Sequence, residues 1–87
     1  MNAIELAAAR EALGDLWALG RALKMSEMGR ICGYGPVDPG QPIMDMERGR
    51  RAIPPPMVKL IHLYRSGVLP PGGLGVLKAS AKGPDEV

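Results

Sequence analysis

The densest chemistry in this 87-residue chain is a basic phrase near its middle, where Arg48, Arg50 and Arg51 fall together, with Arg21, Lys24 and Arg30 upstream and the acids dispersed. Guanidinium groups clustered in this way can track phosphates at close range. The formal charge is only +2, so long-range steering of a polyanion stays weak. The same cluster also reads as a solvated cationic helix end that complements the negative helix terminus.

Other chemistries lack their residues. The chain has one cysteine, Cys32, and one histidine, His62, far apart in sequence. There is no Ser-His-Asp set, no paired Cys or His, and no Gly-rich loop followed by Lys-Ser or Lys-Thr. An enzyme is therefore the weakest reading, and no cofactor or metal is expected. Cys32 reads as a small buried hydrophobe, and His62 as a partly exposed helix residue. A single cysteine forms no internal disulfide, which points to a reducing, cytoplasmic setting. The N-terminus shows no charged-then-apolar leader, and its early Glu5 argues against a secretory signal. No stretch approaches the roughly 18 to 20 apolar residues of a membrane span, so no membrane partner is expected.

The elements that must position the arginines are short. A chain of this size holds at most one domain with a modest core. Only 3% of residues are aromatic, so Leu, Ile, Val and six Met must fill that core, and helices suit them better than strands. Residues 3 to about 20 predict one amphipathic helix with Leu6, Leu13, Leu16, Trp17 and Gly20 on its stripe. Trp17 is its expected anchor in the core. At Gly14-Asp15 the helix is weakest, and Asp15 could instead cap a second one.

Leu23, Lys24 and Met25 read as a connection, after which Ser26 caps a helix SEMGRICG with Glu27 in its first turn. Met28 and Cys32 share a face, Gly29 between them permits close approach of a neighbouring helix, and Gly33 suits the left-handed residue past the end. The segment YGPVDPGQP interrupts the helical pattern. Asp38-Pro39 could open the third helix, but Pro42 is the more comfortable start because it pushes Gln41 out of the helical region. That helix, PIMDMERG, turns Ile43 and Met46 or Glu47 inward and Met44, Asp45 and Arg48 outward, with Gly49 ending it. Pro54-Pro55-Pro56 forms a stiff extended lead into a fourth helix, MVKLIHLYRSG, with Met57, Leu60, Ile61 and Tyr64 inward and Gly67 as its stop. The expected organisation is thus an all-α, compact four-helix domain over residues 1–67 and a Pro/Gly-rich, flexible tail over 68–87, with Leu74 to Leu77 as a segment able to dock.

The run Ser26-Glu27-Met28-Gly29 to Gly33, then Ile43 to Met46-Glu47-Arg48-Gly49-Arg50-Arg51 and Pro54, resembles the Cro and phage-repressor (Xre-like) helix-turn-helix DNA-binding domains over about residues 16 to 66. The turn after Gly33 is longer than is usual in that family, and Pro39, Gly40 and Pro42 stand where it favours small polar residues. The resemblance implies a lambda-repressor-like fold and a partner, double-stranded DNA. It implies that Gln41, Met44, Asp45 and Arg48 lie nearest base edges or phosphates, with Gln41 suited to adenine and Arg48 to guanine or backbone. It implies that Arg50 and Arg51 grip phosphates beyond the recognition helix, joined by Ser26 and Arg30 from the helix before it. Glu47 then becomes structural, with Arg21 as a guessed partner.

Two functions of different class follow. The first is a small transcriptional regulator that binds DNA as a homodimer, since one short helix offers few contacts. The second is a protein-interaction module in which the loop Tyr34 to Pro42 and the apolar tail meet a protein partner.

Overall fold

The computed structural model describes residues 1–78. Its elements are α1 (Ala3–Leu16), α2 (Met25–Ile31), α3 (Gly40–Glu47), α4 (Pro55–Arg65) and the short α5 (Gly75–Lys78). No strand occurs among the described residues. The protein is therefore all-α.

α1 starts where its first amides find a partner. The Asn2 side chain accepts from the Glu5 amide at 2.8 Å, and the Glu5 carboxylate accepts from the Asn2 amide at 2.8 Å. This reciprocal pair satisfies two of the donors that a helix leaves open at its start. The helix ends at Leu16, earlier than expected, because Ala18 takes a left-handed conformation (φ 57°). Ala18 N–H then donates to Asp15 O at 3.1 Å and Leu19 N–H to Gly14 O at 2.9 Å. The same two-bond closure recurs after α2, α3 and α4, where Gly33, Gly49 and Gly67 hold the left-handed position.

Gly14 opens no second helix. A Cβ there would collide with the Arg21 carbonyl oxygen, so its bare backbone lets the returning chain lie against α1. Leu16, expected in the core, is half exposed, because α1 buries Leu6, Ala9 and Leu13 instead. Trp17 is only 8% exposed and meets Tyr64 edge-on, with ring centroids 6.1 Å apart. Tyr64 in turn donates its hydroxyl to Ile31 O at 2.6 Å, which ties α4 to the end of α2.

α2 and α3 pack intimately at their crossing. Gly29 is buried there, and a Cβ on it would strike the Pro39 carbonyl oxygen, which matches the expectation of a close approach. α2 begins at Met25 with Lys24 as its cap residue, so Ser26 is not the cap but a buried residue of the first turn. α3 begins at Gly40 rather than Pro42. Asp38 adopts a left-handed conformation (φ 51°) that starts the turn, and its carbonyl accepts from Gln41 N–H at 3.2 Å. Pro42 then falls in the first turn, where its missing amide hydrogen is no loss because no intrahelical acceptor exists there. Similarly, only Pro54 is extended, while Pro55 and Pro56 form the first turn of α4.

Of the tail expected to be flexible or docking, the segment Leu74 to Leu77 docks on the body of the protein. Leu77 is buried, and Leu74 and Val76 pack against the same core as the four longer helices. α5 lies against α2. The remainder of that tail, from residue 79, lies outside the described residues. No helix among the described residues is long and apolar enough to cross a membrane.

Candidate nucleic-acid interface

α3 carries two unlike faces. Ile43 and Met46 are fully or almost fully buried, as their inward placement requires. Gln41, Met44, Asp45 and Arg48 recur at steps of three and four on the other face, where Gln41 and Arg48 are exposed and Met44 and Asp45 half-buried. The Gln41 amide donates to Asp45 Oδ1 at 3.0 Å, so these two side chains engage each other along the helix surface.

The acid at the end of α3 is drawn inward. Glu47 accepts a bidentate pair from Arg10 of α1, with Nε to Oε2 at 2.8 Å and Nη2 to Oε1 at 3.1 Å. The third arm of Arg10, Nη1, donates to Leu23 O at 2.7 Å. This corrects the expected Glu47–Arg21 pair. Arg21 instead clasps Glu27, with Nη1 to Oε1 at 2.8 Å and Nη2 to Oε2 at 3.0 Å. Glu27 Oε1 also accepts from the Lys24 amide at 2.7 Å. Burial alone would raise the pKa of Glu27, but the Arg21 hydrogen bonds, the Lys24 amide and both positive charges outweigh it, so the carboxyl lies below its usual range.

The exit from α3 lacks such partners. Arg48, Arg50 and Arg51 are exposed, and among the described residues none of them enters an ion pair. Gly49 (φ 75°) turns the chain so that Arg50 N–H caps Asp45 O at 2.8 Å. Arg51 lies over Tyr34, with its Cζ 5.3 Å from the ring centroid. Tyr34 is itself held by its N–H to Gly29 O at 2.9 Å and by its hydroxyl near the Met57 sulfur at 4.0 Å.

Two of the expected contact residues sit differently. Ser26 is 4% exposed, at the floor of a groove of about 380 Å³ that Lys24, Gln41 and Met44 also line. It thus meets the α3 face from below. Arg30 stands apart, lining a different cleft with Cys32, Leu60 and Tyr64. Arg10 carries no signal in the sequence, because its partner is 37 positions away. His62 is exposed beside Glu5 and Arg65, and burial pushes the Cys32 thiol up to about 12, so it stays protonated near neutrality. Among the described residues, no group of three His, Cys, Asp or Glu side chains is placed to hold a metal ion. No known protein family, curated protein or solved structure matches the chain.

Proposed function

We propose that this chain is a small transcriptional regulator that binds double-stranded DNA through a helix-turn-helix formed by α2 and α3, acting as a homodimer in the cytoplasm. One observation carries the reading: at the exit of α3 three exposed arginines have no carboxylate partner among the described residues, while the neighbouring acid, Glu47, is neutralised on the inner side by Arg10. A polyanion approaching α3 meets these cations at its exit, opposed by Asp45 on the helix face and by the exposed Asp38 at the helix start. The bond between Gln41 and Asp45 must open, or be read as a unit, for the amide to reach a base edge. Leu63, Val68 and Leu69, each about half exposed around the end of α4, offer apolar surface for a second copy.

Fluorescence anisotropy with a random-sequence duplex library over a range of salt concentrations tests the reading. Binding should weaken steeply with salt, and Arg50→Ala with Arg51→Ala should lower the logarithmic salt slope by about 1 per arginine removed. Asp45→Asn should tighten binding by removing a negative charge from the contact face. No salt-sensitive binding at micromolar protein would sink the proposal.

A second reading, a protein-interaction module, draws on Val37, which is 88% exposed in the proline loop that Tyr34 anchors. Partners retained from a nuclease-treated lysate by the native chain and lost with Val37→Ser would favour it.

A further inference from the structure

The cleft that holds Arg30 differs in character from the groove beside α3 and shares no lining residue with it. It is open, has a volume of about 370 Å³, and lies between the end of α2, α4 and the docked segment that leads into α5. Ile31, Leu60, Pro70 and Val76 make its walls apolar. Tyr64 offers no free donor, since its hydroxyl is committed to Ile31 O. The protonated Cys32 thiol adds a soft, uncharged surface.

Among the described residues Arg30 is the single charged group on these walls, and its Nη1 is buried with no acceptor. A buried guanidinium donor without an acceptor is unfavourable, so little holds the Arg30 side chain in place, and turning it toward a ligand oxygen in the cleft recovers that loss. The volume sits at the lower end of the roughly 300 to 1,000 Å³ typical of small-molecule sites. One cation among apolar walls balances one negative charge and leaves a dianion under-compensated.

We propose that this cleft binds a small amphiphilic carboxylate, whose anionic head pairs with the Arg30 guanidinium as that side chain turns toward the cleft, and whose compact apolar body rests against Ile31, Leu60, Pro70 and Val76. The site does not depend on the DNA-binding reading, and its test contains no DNA.

The full chain is titrated with octanoate and with benzoate, and in parallel with octanamide and benzamide, while amide proton–nitrogen spectra are recorded. At least one acid should give saturable shifts at Cys32, Leu60 and Val76, bound about tenfold or more tighter than its amide. Arg30→Gln should bring the acid down to the affinity of the amide. Absence of saturable shifts with either acid up to roughly 10 mM would overturn the proposal, as would equal affinity for acid and amide. Undiminished acid binding by Arg30→Gln would overturn it too. Should that variant fail to fold, the ratio of acid to amide on the native chain decides.

Discussion

Arginines on the two sides of α3 are held in opposite ways. On the inner side Arg10 grips Glu47, and before α2 the exposed Arg21 grips Glu27 in the same way, each through two nitrogens, with both acids well buried. At the exit Arg48, Arg50 and Arg51 have no acid within reach among the described residues. The residue type is the same, so composition cannot separate them. What separates them is whether the fold delivers a carboxylate to the same place. Where it does, the arginine works as a bracket between elements distant in sequence; where it does not, the charge remains available to something outside the chain.

The comparison can be broken most severely from beneath. Gly29→Ala drives a methyl into the Pro39 carbonyl and should cost about 3 kcal/mol, because backbone must move rather than a side-chain tip. Thermal unfolding should show it, and both arginine regions should lose their order together. Glu47→Ala strands Arg10, which is 20% exposed against 10% for its partner. A loss of about 2 kcal/mol in denaturant unfolding is expected, under the figure for a fully buried pair because water still reaches Arg10.

Glu27 should give a smaller, acid-dependent effect. Its folded-state pKa is depressed, so its contribution is complete above the unfolded value near 4.5 and is lost as pH falls through the lower folded value. In pH-dependent melting, Glu27→Gln should flatten that acid limb and leave the Arg10–Glu47 bracket standing. At the exit, Arg51→Ala should lose only about 0.5 kcal/mol, from its contact with Tyr34, and Arg50→Ala nothing outside about 0.5 kcal/mol either way. A loss at Arg50 as large as that at Glu47 would erase the distinction between the two regions.

What was legible in the sequence follows from what is local. Gly33, Gly49 and Gly67 mark helix ends because a left-handed residue excludes most side chains, and glycine announces the position. Ala18 fills the same role with a Cβ, so the end of α1 was misplaced. Asn2 and Glu5 did stand at capping-box spacing, a signal that was there to read. The outward set on α3 could be placed from its periodicity and the inward Ile43 and Met46, although its start at Gly40 could not. The preference against a helical residue before proline is weaker than the tolerance of proline in a first turn. Arg30 could not be placed, because its surroundings come from Leu60 and the docked residues Pro70 to Val76, whose sequence carries no periodic signal. Ion-pair partners were equally hidden, since proximity between Arg10 and Glu47 exists only after folding.

The stacking of Arg51 on Tyr34 has a thermodynamic consequence for any encounter at this surface. A free arginine surrenders about 2 kcal/mol of rotamer entropy when a ligand immobilises it. Arg51 has given up part of that freedom within the folded chain, against a ring anchored to the backbone of α2 and near the sulfur of α4. It therefore meets an incoming anion partly preordered, while Arg50 must be ordered at the moment of contact.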